Sequence, residues 1–163
     1  NLAGQGGVAC HTLHVDADRR VELDARKLPT GDLVPVRGTA SDFASARSLA
    51  PILKAGGIDE MLVLTGERTA RLTDPGSGRT LTLTTNQPGL QVFTGNAFDG
   101  ADRDRAGRPI ARHAAIALEP AHFADSPAIP AFPSTRVAPG KPLRWHAIWR
   151  FGRFQPTATD CIP

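Results

Sequence analysis

Glu119 is the residue of this sequence best placed for chemistry. It closes the apolar run Ala114-Ala115-Ile116-Ala117-Leu118 and is followed by Pro120, by His122-Phe123-Ala124-Asp125 and by the turn Phe132-Pro133-Ser134. A carboxylate that ends a strand otherwise suited to burial must be desolvated, paired or used, which makes it a candidate proton carrier. The competing reading is a structural ion pair with an arginine such as Arg112. Other constellations fail on spacing. His11 and His14 resemble a metal pair, but residues three apart on a strand point to opposite faces, and two cysteines with scattered histidines complete no ligand set. No metal site is expected. Gly4-Gln5-Gly6-Gly7-Val8-Ala9 fits a dinucleotide-loop pattern in letters only, because a period-two strand follows it where a helix is required. Neither a Gly-x-Ser-x-Gly elbow nor a phosphate loop of the Gly-x-x-x-x-Gly-Lys type is present.

The elements that must position Glu119 have a period of two. In His11-Thr12-Leu13-His14-Val15-Asp16-Ala17, the residues Leu13, Val15 and Ala17 share one face and Thr12, His14 and Asp16 the other. Further strands are expected within 33–36, 61–64, 69–72, 80–85, 90–94, 114–118 and 143–151, all bounded by Gly, Pro, Asp or Ser. Asp74-Pro75-Gly76-Ser77-Gly78 reads as a hairpin turn, since proline presets φ and glycine accepts positive φ. One short helix is expected inside 41–54, capped by Ser41 or Asp42 and limited by Pro51. The charged segment 99–112 reads as a solvated connection, with the rim of a cleft as its functional alternative. Many short strands and almost no helical periodicity predict an all-β fold, an antiparallel sandwich or barrel.

With 163 residues, 40% of them hydrophobic, the chain can bury one core. Its net charge of +3 comes from dispersed arginines, and only 6% of residues are aromatic, so it lacks the clustered basic and aromatic pattern of a nucleic-acid surface. No nucleic-acid partner is expected. No run of 18 apolar residues is present, so no membrane-spanning helix is expected. Asn1-Leu2-Ala3-Gly4 is neither a signal peptide nor an initiator context, and reads as a processed product or a piece of a longer protein. Cys10 and Cys161 could bridge in an oxidising compartment, or be unrelated thiols.

Read in order, several segments resemble the C-terminal half of the aldose 1-epimerase (galactose mutarotase) family. They are Asn1-Leu2-Ala3-Gly4, Leu28-Pro29-Thr30-Gly31-Asp32, Gly38-Thr39-Ala40-Ser41-Asp42-Phe43, Gly57-Ile58-Asp59-Glu60, Gln91-Val92-Phe93-Thr94-Gly95-Asn96, Leu118-Glu119-Pro120, and Phe132-Pro133-Ser134 with Pro139-Gly140. The resemblance implies the family's large antiparallel β-sandwich, of which this would be the C-terminal portion. Residues 1–163 would then form a single sandwich domain or half of a larger one, with 152–163 as a tail.

The same resemblance implies interconversion of the α and β anomers of a free hexose such as galactose or glucose, without a cofactor. Glu119 would be the catalytic base, while Asp59 and Gln91 would bind sugar hydroxyls. On the residues alone, Asp59 after Gly56-Gly57 is equally a turn residue, and Gln91 the polar face of an alternating strand. The family's acid histidine and a second active-site histidine lie upstream of the segment matched by Asn1, so activity is expected only with an N-terminal complement, a companion chain or self-association. Glu60 stands where the family usually has histidine, and Ala121 where it commonly has glutamine. A non-catalytic carbohydrate-binding or sensing module is the alternative. The family default is cytoplasmic; a Cys10–Cys161 bridge would instead imply a periplasmic or secreted setting.

Overall fold

The computed structural model describes residues 1–154 as ten strands and one short helix. In order they are β1 (Thr12–Val15), β2 (Ala17–Leu23), β3 (Pro29–Pro35), β4 (Arg47–Ser48), α1 (Ala50–Lys54), β5 (Asp59–Leu64), β6 (Thr69–Asp74), β7 (Arg79–Thr85), β8 (Gly89–Phe93), β9 (Ala117–Ala121) and β10 (Ala147–Arg153). They form two five-stranded sheets, β10-β7-β6-β1-β4 and β3-β2-β5-β8-β9, antiparallel at every pairing. The expected all-β sandwich is therefore what the chain forms. Cys161 lies outside the described residues, and Cys10 is exposed. Gly152 and Arg153, placed in the tail by the sequence, complete β10.

The chain repeatedly steps from one sheet to the other. The alternating stretch 11–17 is two strands rather than one: β1 and β2 belong to different sheets, with Asp16 at the crossing. Its backbone accepts from Thr65 N–H at 2.8 Å and donates to the Thr69 carbonyl at 2.9 Å. Its carboxylate accepts from the Thr69 hydroxyl at 2.5 Å. The β1–β2 crossing is thus pinned to the β5–β6 crossing. A third tight crossing joins β7 to β8. These short links stack β1 on β2, β6 on β5 and β7 on β8, and the strand orders then bring β10 to the same side of the sandwich as β9.

Between the sheets lie Leu13, Val15, Leu62, Leu72, Leu83, Leu90 and Val92, all at most 2% exposed. Burying each such leucine stabilises the fold by about 1.5–3 kcal/mol before entropy is counted. The predicted face of Leu13, Val15 and Ala17 is the buried one. The inward face continues onto β10, where Trp149 pairs across from Leu83 and Phe151 from Leu81, but here none of the described residues buries it. Trp149 is 44% and Phe151 75% exposed. Among the described residues, the β9–β10 side of the sandwich is open.

Two expectations change. The helix occupies only Ala50–Lys54, with Pro51 in its first turn rather than at its limit. Before it, Asp42 accepts from Gly38 N–H at 2.9 Å, and Arg47 donates to the Thr39 and Asp42 carbonyls. These local bonds hold the backbone in turns that compete with helix. The strand expected at 114–118 is Ala117–Ala121, and Pro120 lies inside it. An edge strand tolerates a missing N–H on its free side.

His11 is fully buried. Its Nε2 accepts from the Leu2 N–H at 3.0 Å, so the neutral ring carries its proton on Nδ1, which has no hydrogen-bond partner among the described residues. Burial holds its pKa below the ordinary 6.5, and the nearby Asp74 carboxylate opposes that shift without overcoming it. The unfolded chain therefore binds the proton more readily. Stability is full above pH 6.5 and declines as the pH falls from there toward the lower folded value. Urea midpoints should drop between about pH 7.5 and 5.5, and the drop should shrink in His11→Gln. Equal pH dependence in the two proteins would refute this assignment.

Candidate active site

Strands β5, β8 and β9 are neighbours, and their register decides which side chains meet. Met61 pairs with Gln91, and Gln91 with Glu119; one step along, Asp59 pairs with Phe93, and Phe93 with Ala117. Directly opposed residues share a face, so Asp59, Gln91 and Glu119 all project from the outer face of their sheet. The Gln91 amide donates to Asp59 Oδ1 at 2.6 Å. Glu119 lies across from Gln91 on the other side. The three residues singled out from the sequence are thus brought together, although 60 positions separate the first from the last.

Of the alternatives for Glu119, desolvated, paired or used, the first is not what the chain shows. Glu119 is exposed, in the middle of β9 rather than at its end, because the outer face is uncovered there and β9 is an edge. Among the described residues no hydrogen bond or ion pair engages its carboxylate. Arg112, the proposed ion-pair partner, instead donates to His113 Nε2 at 3.2 Å and to the Gly56 carbonyl at 3.1 Å. Asp59 is exposed and opens β5 rather than turning the chain, and Gln91 is half-buried.

The rest of the outer face supplies the floor. Val21, Leu33, Met61 and Val63 pack under Phe123, Ile129 and Phe132 from the segment after β9, and Phe123 meets Phe132 edge-on at 5.1 Å. Gly89 makes this possible, since a Cβ there would lie 2.9 Å from the Phe123 ring. On the other flank Phe93 stacks edge-on with Phe98 at 5.6 Å. Between the two apolar patches the polar trio stays open to solvent. Glu60, next to Asp59, points to the opposite face, accepts a hydrogen bond from Ser41 and pairs with Arg20 at 3.7 Å.

Sequence reasoning missed the supports beneath the trio. Thr94, fully buried, accepts from Ile58 N–H at 2.8 Å through its hydroxyl and so fixes the residue before Asp59. His113 connects to Thr94 as well, at 2.7 Å from Nδ1 to the carbonyl. Thr94 stood within a motif that drew attention to Gln91; His113 carried no periodic signal. The loop 99–112 behaves as a connection: its Asp104 accepts from the Arg108 backbone and side chain, which hold the carboxyl below its usual range.

The fold is thus an antiparallel sandwich that carries an amide between two carboxylates on adjacent strands, three groups able to donate to or accept from hydroxyls. Comparison with known proteins makes the class specific: the model of the aldose 1-epimerase family matches residues 1–149, and the chain belongs to that family. The galactose mutarotase of Bos taurus is 34% identical over 158 aligned residues, which cover 91% of this chain and 46% of that protein. The aldose 1-epimerase of Streptococcus thermophilus is 31% identical over 131 residues, 73% of this chain and 37% of that one. The crystal structure of a GalM/aldose epimerase homologue from C. elegans superposes with a TM-score of 0.82 at 27% identity, covering 95% of this chain and 49% of that one. The chain spans a little under half the length of the mammalian relatives it matches.

Proposed function

We propose that this chain provides the carboxylate half of an aldose 1-epimerase site acting on a free aldohexose, with galactose or glucose as the substrates to test. Glu119 takes the proton of the C1 hydroxyl. As the C1 carbonyl forms, the bond from C1 to the ring oxygen breaks and that oxygen receives a proton from an acid; rotation at C1 and reclosure give the other anomer. Asp59 and Gln91 hold hydroxyls, so an epimer with a misplaced hydroxyl leaves one of them unpaired. The observation that carries this reading is the convergence of Asp59, Gln91 and Glu119 on one exposed face, with the carboxylate of Glu119 unengaged among the described residues. Membership of the epimerase family supports it.

The acid must come from elsewhere. His113 and His122 are engaged with Thr94 and Gln87, His11 is in the core, and the other two belong to the opposite sheet: His14 faces Asp16, and His146, exposed, leads into β10. The β9–β10 side, open among the described residues with Trp149 and Phe151 exposed, is the natural seat for an N-terminal complement that brings a histidine; a second copy of the chain is the rival occupant. The same distribution of histidines favours a second reading, a hexose-binding module without catalysis.

Polarimetry of α-galactose and α-glucose tests the proposal. The chain alone should leave the solvent rate unchanged. Together with the N-terminal half of a family member it should accelerate mutarotation, and its tryptophan emission should shift to the blue as Trp149 is covered. Assembly without acceleration, but with hexose binding, would establish the binding module; no assembly and no binding would remove both readings.

A further inference from the structure

Three segments must be held in register for the trio to meet: the turn before β5, the end of β8 and the lead into β9. They join at His113. Its Nδ1 lies 2.7 Å from the Thr94 carbonyl, which can only accept, so Nδ1 carries the proton and Nε2 is free to accept from Arg112 Nε at 3.2 Å. The same Arg112 donates its second bond to the Gly56 carbonyl, three residues before Asp59. The His113 backbone donates to Gly95 at 3.1 Å and accepts from Val8 at 3.0 Å. Gly57 is close enough that a Cβ there would lie 2.9 Å from the imidazole ring.

The backbone at His113 has φ of 60°. A non-glycine residue in the left-handed region is uncommon and persists where surrounding contacts over-determine it. Here two side-chain and two backbone bonds do so, and they gather the chain on both sides of the trio. Asp59 is two residues beyond Gly57, Gln91 three before Thr94, and Glu119 six after His113.

We propose that His113, with Arg112, is the positioning clamp of this site: it sets the separation of Asp59, Gln91 and Glu119 without touching the sugar. Its value to hexose recognition rests on the reading of those three as the hexose site, whereas its geometric role does not. A shift of about 1 Å in such groups is enough to cost about a hundredfold in a positioned reaction.

The test uses the Gln91 side-chain amide as a reporter in the ¹⁵N-labelled chain, read by NMR with and without D-galactose. His113→Gly removes the ring while accepting the left-handed backbone, and His113→Asn keeps both that conformation and an amide donor toward Thr94. In His113→Gly the Gln91 amide should move toward the position of a solvated amide as its bond to Asp59 loosens, and the dissociation constant for hexose should rise about tenfold. His113→Asn should recover most of both effects.

Arg112→Ala, a change at an exposed residue, covers the case in which His113→Gly does not fold; it should move the Gln91 amide in the same direction by a smaller amount. A residue that only stabilises the fold would lower the melting temperature of each variant yet leave the Gln91 resonance of the folded molecules in place, and that result overturns the clamp. If the unmodified chain binds no hexose by itself, the reading as a stand-alone binding module falls while the two-part epimerase reading stands, and the amide shift still decides whether the clamp exists.

Discussion

Glu119→Gln, made in the assembled two-part protein, should lower the mutarotation rate about 10²- to 10⁴-fold and change the hexose dissociation constant by no more than a few-fold. That range is the usual worth of one general acid or base. The substitution is nearly isosteric and keeps a polar group opposite Gln91, so the β8–β9 register should survive it. What disappears is the ability to hold a proton. Because Glu119 is exposed and on an edge strand, its loss leaves no uncompensated charge in the core, and the melting temperature should be nearly unchanged. A fall of less than about threefold in rate, well below what a general base contributes, would mean that another group removes the C1 proton.

Gly57→Ala should cost about 2–5 kcal/mol of folding stability. Two terms add. The backbone there has φ of +82°, where an L-residue is penalised by about 1–2 kcal/mol. The new methyl would also collide with the Thr94 hydroxyl and crowd the ring of His113, and overpacking typically adds about 1–3 kcal/mol. The Thr94 hydroxyl cannot simply move aside, since it is buried and bonded to Ile58. Urea titration should show a lower midpoint with an unchanged slope. A midpoint equal to that of the unmodified protein would mean that the turn before β5 is far softer than its contacts imply.

How far the fold could be read from the sequence depended on what each residue's neighbours were doing. Leu13, Val15 and Ala17 alternate with polar residues, and that periodicity identified the buried face even though the chain changes sheets between Val15 and Ala17. The break at Asp16 was invisible, because it depends on Thr65 and Thr69, some fifty residues away. β2 was hidden by Asp18-Arg19-Arg20, whose charges are accommodated at a sheet surface with a bulge between Ala17 and Arg19. The limits of β9 differ from those expected because proline ends most strands, whereas an edge strand accommodates Pro120.

For the site, the residues resembling the family motifs picked out Asp59, Gln91 and Glu119, and the register brings them to one face. Of the three fates open to Glu119, desolvation and pairing are absent among the described residues, since an apolar run can end on an uncovered face as readily as in a core. His113 could not have been found by pattern. Its importance lies in backbone conformation and in bonds to residues distant in sequence, neither of which leaves a local signature.

The repeated crossings between sheets, three of them tight, have a kinetic consequence. Neither sheet is encoded by one continuous stretch, so a nascent chain cannot complete one layer and then add the other. β8 must already be seated against β5 before β9 has an edge to join, and β9 arrives only after a connection of more than twenty residues. Non-local pairing of this kind slows folding, because loop entropy is lost before contacts compensate it. The strand bearing Glu119 would then be among the last to dock and, held by a single ladder, among the first to leave during partial unfolding. If Glu119 is the base proposed above, loss of proton-transfer competence on gentle heating would precede collapse of the core, and would be reversed on cooling before the sandwich itself had come apart.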